Sequence, residues 1–386
     1  MRRTLGVLGV GLALAAWGWS AAAQQSARPV ETVAGMPPVT DPANLYSETR
    51  PDKLSPAVAH ALPRVYVPNL KSNDVSVIDP ATFKVVGRFR VGVNPQHVVP
   101  SYDLKTLWVT NNAEGRTDGS LTPIDPTTGK PGKAIAVDDP YNMYFTPDGR
   151  SAIVVAEALK RLDFRDPHTM ALQHSLAVPD CAGINHADFS IDGRFVIFTC
   201  EFQGSLAKID LVARKVLGSL RLSKGGMPQD IRISPDGKVF FVADMKAGGL
   251  FVIDGDSFRE TGFIQTGVGT HGLYPSRDAT KLYAANRGST HIHGPPRGKG
   301  SVSVIDFATH RIVATWPIPG GGSPDMGNVS VDGKTLWLSG RYDDVVYAID
   351  TASGEMRKIP VGKEPHGLTV WPQPGRYSLG HTGNMR

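Results

Sequence analysis

Short apolar runs, each closed by a polar or turn-forming residue, recur along this chain at a spacing that fits strands rather than helices. The clearest run ends in aspartate: Val75-Ser76-Val77-Ile78-Asp79 and, almost unchanged, Val302-Ser303-Val304-Ile305-Asp306. The same slot reads Leu121 to Asp125, Leu162 to Asp166, Leu206 to Asp210, Phe251 to Asp254 and Val346 to Asp350. Successive aspartates are 46, 41, 44, 44, 52 and 44 residues apart. A second kind of run precedes each, as in Val65 to Asn69, Leu107 to Asn111, Ile153 to Glu157, Val196 to Cys200, Phe240 to Asp244, Leu282 to Asn286 and Leu336 to Gly340. Tight turns such as Pro235-Asp236-Gly237 separate the runs. Each unit therefore predicts four short strands, A to D, and a period near 44 residues built from strands points to a propeller.

The first unit lacks a strand A, whereas His366 to Trp371 is a strand A with no strand B after it. Joining the two closes a ring and leaves only short sheet edges. The predicted fold is all-β: a seven-bladed β-propeller of four-stranded antiparallel blades over residues 61–372, its first blade completed by the C-terminal strand A. Residues 24–60 read as an N-terminal extension laid on the domain surface, and residues 373–386 as a tail without an assignable role. Residues 1–23 carry a basic start, an apolar run from Leu5 to Trp17 and Ala21-Ala22-Ala23, the pattern of a cleavable secretory signal. The apolar run is too short for a membrane anchor, which needs roughly 20 apolar residues. A periplasmic or secreted protein is expected, with no anchor after cleavage.

Charge changes the picture little. The net charge is +5, and Arg2 and Arg3 supply two of those charges. No run of five or six basic residues occurs, so a nucleic-acid partner is not indicated. The only cysteines, Cys181 and Cys200, fall in one unit, where a disulfide is compatible with export but not required by the spacing. Two thiols are too few for a cysteine-based metal cluster. A monomer is expected.

Leu107-Trp108-Val109-Thr110-Asn111, Ser234-Pro235-Asp236-Gly237 and the two Val-Ser-Val-Ile-Asp strands resemble the YVTN-type repeats of secreted seven-bladed propellers. The resemblance spans essentially the whole mature chain. It implies the fold and leaves the activity open, because similar propellers include sugar-lactone hydrolases, an antibiotic lyase, the copper domain of nitrous oxide reductase and the haem domain of a nitrite reductase. This chain has no cupredoxin-like second domain and no cysteine-rich copper motif, which departs from the nitrous oxide reductase pattern.

Blade topology sorts the histidines by face. His97, His186, His271 and His366 open strand A in four units, at the mouth of the central channel, and His291 and His293 lie in a B-to-C loop on the same face. That loop belongs to the unit with the 52-residue step and holds an insertion of about ten residues relative to the repeat. These six histidines form the predicted metal set, with copper or iron favoured by imidazole ligation and by the nearby Asp325 and Met326. Haem and a divalent cation stay open as alternatives. His168 and His310 belong to C-to-D loops, and His60, His174 and His381 have no evident place in a site.

At the entry to strand A, one ring of positions reads Gln96, Tyr141, Asn185, Gln229, His271, Asp325 and His366. The next reads His97, Asn142, His186, Asp230, Gly272, Met326 and Gly367. Adjacent strand residues point to opposite sides, so the two rings converge only if the strand ends depart from regular geometry. Three functions compete. The first is a metal-dependent oxidoreductase or metal-binding protein acting on a small-molecule substrate. The second is a lactonase- or lyase-like enzyme with His271 or His366 as general base, oriented by Asp325 or Asp230. The third is a non-enzymatic module for a protein or polymer partner, with Arg287, Arg297 and Arg341 available to anions.

Overall fold

The computed structural model describes residues 1–2, 29–292 and 298–386. The predicted secretory signal falls almost wholly outside the described residues, as do His293 and Arg297. Seven four-stranded antiparallel sheets form the ring. Blade 1 takes its strand A, Thr369–Trp371, from the C-terminal end of the domain and pairs it with Arg64–Asn69. Blades 2 to 7 follow in order, their A strands being Pro95–Pro100, Pro140–Phe145, Ile184–Phe189, Pro228–Ile233, Thr270–Pro275 and Pro324–Val329. The expected architecture and its ring closure are both present.

Burial follows from the pleat. Strands A to C are buried nearly end to end, whereas strand D of blade 1, Lys84–Arg90, is mostly exposed. Seven apolar clusters each fill one blade-to-blade interface, so the core is itself a ring. Trp108 and Trp337 sit in two of these clusters as blade core.

The repeated polar residues are turn and ladder chemistry. The aspartate closing strand C accepts from backbone N–H groups two or three residues on, as Asp79 does from Ala81 and Asp306 from Thr309. Four residues after it the chain takes a positive φ, at Phe83, Gly129, Met170, Arg214, Phe258, His310 and Gly354. His310 therefore belongs to a turn. At the end of strand B, Asn69, Asn111 and Asn286 donate from their amides to side chains of strand C, including Ser76, Thr122 and Ser303. Cys181 and Cys200 are joined in a disulfide between the segment entering strand A of blade 4 and the end of its strand B, with Cα atoms 4.8 Å apart.

Both chain ends serve the channel. The N-terminal extension runs over the face bearing the A-to-B turns, where Leu45 N–H donates to Pro235 O and Tyr46 Oη–H to Ile233 O. The tail, far from being idle, enters the channel from that face as a tight hairpin in which Ser378 bridges Met385. Ser378 Oγ donates to Pro100 O, Phe145 N–H to Leu379 O and His381 N–H to Met143 O, so the hairpin climbs alongside the A strands. At its base the fully buried Asp188 carboxylate accepts from Asn384 Nδ2 at 2.9 Å and Arg386 Nη2 at 2.8 Å.

Removing one partner of a buried ion pair leaves the other charge uncompensated. Arg386→Ala is thus expected to lower unfolding free energy in urea by about 3 kcal/mol. Arg376→Ala, on the exposed rim, should stay within about 0.5 kcal/mol. Equal effects would mean that the Asp188 pair does not hold the plug.

Candidate functional site

Each of blades 2 to 7 has a register shift at the start of strand A, between Pro95/His97, Pro140/Asn142, Ile184/Ala187, Pro228/Ile231, Thr270/Leu273 and Pro324/Gly327. A bulge opposes two residues to one and redirects side chains. This removes the alternation problem, because consecutive positions can both face the channel. The bulges are held by threonines and serines of strand B. His97 N–H donates to Thr110 Oγ1, His186 N–H to Thr199 Oγ1 and Met326 N–H to Ser339 Oγ. The backbone N–H groups beyond them are taken by neighbouring blades: Ala187 N–H by Tyr144 Oη, Leu273 N–H by Asp230 Oδ2 and Gly327 N–H by Tyr274 Oη.

Five imidazoles meet at the hub. Ring centroids lie 5.5 Å apart for His97 and His186, 4.9 Å for His97 and His366, 5.7 Å for His271 and His366, and 6.0 Å for His186 and His271. The fifth is His381 at the tip of the tail hairpin, 4.8 Å from His186 and 5.3 Å from His97. All five are at most 2% exposed. One nitrogen from each of His97, His186 and His381 lies within 4.8 Å of the others.

Second partners fix the tautomers. His97 Nδ1 faces the Tyr141 carbonyl at 3.0 Å, so Nδ1 carries the proton and Nε2 presents its lone pair. His271 Nδ1 and His366 Nδ1 each donate to one oxygen of Asp325, at 3.0 and 2.8 Å, which turns their Nε2 lone pairs outward in the same way. Arg287 binds the same carboxylate at 2.7 Å. His186 Nδ1 and His381 Nδ1 both accept from the Asn142 amide, at 3.2 and 2.9 Å, while His381 Nε2 lies 3.5 Å from Asp230. Nε2 of His97 and of His186 are buried without a hydrogen-bond partner among the described residues.

Burial lowers the pKa of every hub histidine, followed by neighbouring charges: Arg287 for His271, at about 4, and Arg341 for His366, at about 3. Asp325 is held well below the usual carboxylate range despite burial, by Arg287 and then by His271 and His366. At neutral pH the hub is a set of uncharged imidazoles beside one fixed carboxylate. His97, His271 and His366, braced at Nδ1 by carbonyl or carboxylate, have the arrangement transition-metal ligands adopt, whereas His186 and His381 accept at Nδ1 and carry their proton on Nε2.

The structure thus brings His97, His186, His271, His366 and Asp325 together. It does not bring in His291, whose side chain is exposed in the inserted loop while Tyr342 Oη–H donates to its carbonyl. Asp230 is engaged by Arg232 and by backbone N–H groups, and reaches the hub only through His381. The contribution sequence reasoning missed is His381. Its signal was the absence of charge from Tyr377 to Asn384, unusual for a solvated tail.

The profile of the YNCE-like beta-propeller family matches residues 22–374. The chain belongs to that family. It is similar to the uncharacterized protein YncE of Salmonella typhi, 24% identical over 294 residues, covering 70% of this chain and 75% of that one. Among solved structures it is similar to Kuenenia stuttgartiensis hydrazine synthase, with TM-score 0.62, 20% identity and coverage of 78% of this chain and 97% of that one. The dihydro-heme d1 dehydrogenase NirN gives TM-score 0.57 at 17% identity, covering 83% and 77%. A functionally unknown protein from Desulfotomaculum acetoxidans gives 0.64 at 13%, covering 80% and 99%. At these identities the structural likeness is one of fold.

Two outcomes test the hub itself. A Cβ on Gly367 would lie 2.1 Å from His97 Cδ2, so Gly367→Ala is expected to displace that ring and destabilise the fold by about 1–3 kcal/mol. Gly218→Ala, with open space around it, should not. The second outcome is a pH profile. The unfolded chain takes up histidine protons near pH 6.5, whereas the folded hub resists to about pH 4, so the unfolded state binds more protons in between. Stability of metal-free protein should therefore be full above about pH 6.5 and fall towards pH 4, by up to about 1.4 kcal/mol per pH unit for each buried histidine. Urea midpoints that stay flat from pH 7 to 5 would show that the hub is not buried neutral.

Proposed function

We propose that the hub binds a transition metal ion, copper first and iron second, with His97 Nε2 as one inner ligand and His186 and His381 as two more through the Nδ1 lone pairs that the Asn142 amide would give up. The ion would serve oxidation–reduction of a small molecule that enters from the face where the A strands begin. One observation carries the reading: three buried imidazoles present nitrogens within 4.8 Å of one another, and the Nε2 lone pair of His97 has no partner among the described residues. An all-imidazole set with Met326 Sδ 3.0 Å from His271 Nδ1 suits copper or iron better than calcium or magnesium, which take oxygen ligands. When bound, the ion would supply electron transfer and polarisation of a substrate oxygen. The chain's own residues do the rest. Asp325 fixes His271 and His366, Tyr141 fixes His97, and the tail hairpin shuts the opposite end of the channel against water.

The N-terminal signal pattern and the Cys181–Cys200 disulfide support an exported protein in an oxidising compartment. A metal-free second reading has one specific support, the Asp325 bridge between His271 and His366, which would orient either as a general base for lactonase- or lyase-like chemistry.

Elemental analysis of the purified full-length chain separates the two. About one equivalent of copper or iron per chain is expected. It should be lost in the His97→Ala/His186→Ala double variant and retained in His291→Ala. Protein that stays metal-free after incubation with either ion would end the metal reading and leave the acid–base one.

A further inference from the structure

Beside the histidines stands a charge that the described residues leave uncompensated by contact. Arg341 follows strand B of blade 7, Thr335–Gly340, on the face where the A strands begin, and its N–H donates to Ser323 O. The side chain is 4% exposed, yet Nε and Nη1 are buried and meet no acceptor among the described residues. Gly340 pairs with Pro324, the neighbour of Asp325, which sets Arg341 beside the hub, and its charge lowers the pKa of His366 and of His271.

The neighbouring groups offer it no counter-ion. Asp325 is shared among Arg287, His271 and His366. The Glu201 carboxylate is taken up by Asn185 Nδ2 and Gln229 Nε2, each at 2.8 Å, and burial raises its pKa. Glu157 is raised further, by burial and then by Glu201, so that side of the mouth opposes an anion less than two full charges would. A guanidinium removed from water with two N–H groups unpaired is costly, and a carboxylate or oxyanion is the partner its forked donors fit.

We propose that the mouth of the hub is an anion subsite in which the Arg341 guanidinium, its Nε and Nη1 otherwise unpaired, binds a carboxylate or oxyanion group of the substrate. This rests on the reading of the hub as the reaction centre and names the class of molecule that centre takes: small and anionic. Arg287 holds Asp325 in place, leaving Arg341 as the anchor.

Sodium formate is the probe, titrated calorimetrically into metal-stripped and metal-loaded full-length chain, with sodium chloride at equal ionic strength as the control. Saturable binding of one formate per chain is expected in both forms, which separates the arginine from direct ligation to a metal. Arg341→Gln should weaken it at least about tenfold while leaving the circular dichroism spectrum and the metal content unchanged. Arg341→Lys, which keeps the charge and loses the fork, should fall between the two. Formate affinity unchanged in Arg341→Gln, or no saturable binding to folded wild-type chain, overturns the proposal. If Arg341→Gln does not fold, wild-type affinity in Arg341→Lys overturns it instead. Formate binding that depends on Arg341 in a chain that takes up no metal would uphold the subsite and end the metal reading. Metal uptake without formate binding would do the reverse.

Discussion

The hub depends on the bulge at the head of strand A in blades 2 to 7. A regular strand would send alternate residues into the blade, and seven blades would then line the channel with one side chain each at a given depth. The register shifts in blades 2 to 7 let His97, His186 and Asn142 join His271, Asp325 and His366 in one volume. The bulge also frees backbone donors that must be satisfied in a buried place. Strand B hydroxyls such as Thr110 and neighbouring side chains such as Tyr144 take them. Adjacent blades are thereby tied to each other at the same level that collects the histidines. Scaffold and site are consequently one hydrogen-bonded belt.

Bringing polar side chains inward creates a channel that has to be filled. The tail hairpin fills it from the opposite face with Ser378, His381, Thr382 and Asn384, all essentially buried, and ends on Arg386 against Asp188. Tyr46 of the N-terminal extension then covers Arg386, the guanidinium carbon lying 5.4 Å from its ring centre. The two chain ends close the same opening and set the depth to which His381 is carried.

The scaffold was legible because it is written seven times. Asp79, Asp125 and their counterparts mark the turn after strand C, and Asn69, Asn111 and Asn286 mark the end of strand B. Each repeat corroborates the others. The four strand A histidines were legible for the same reason, since position within a repeat fixes depth and face. What lies outside the repeat was not. His381 is placed by a hairpin with no counterpart in any blade, and no periodicity reports where a tail will dock. His291 misled in the opposite direction. Its insertion is real, but a loop can be long and on the correct face while its imidazole stays in solvent. The bulges were hidden because the extra residue falls within a strand of ordinary length and composition, and only the pairing register reveals it.

The electrostatics of the hub weigh on the two proposed chemistries unequally. A general base works best with a pKa near the working pH. Burial and two arginines instead press His271 to about 4 and His366 to about 3, which leaves lone pairs that are available but weakly proton-seeking at neutrality. That handicap matters less to a metal ligand, for which remaining unprotonated is the requirement. Asp325 then has a consistent role: its ionised carboxylate directs two Nδ1–H bonds, fixing which nitrogens face the hub, and offsets the charge of Arg287. The same features that weaken these histidines as bases are compatible with the metal proposed for the hub.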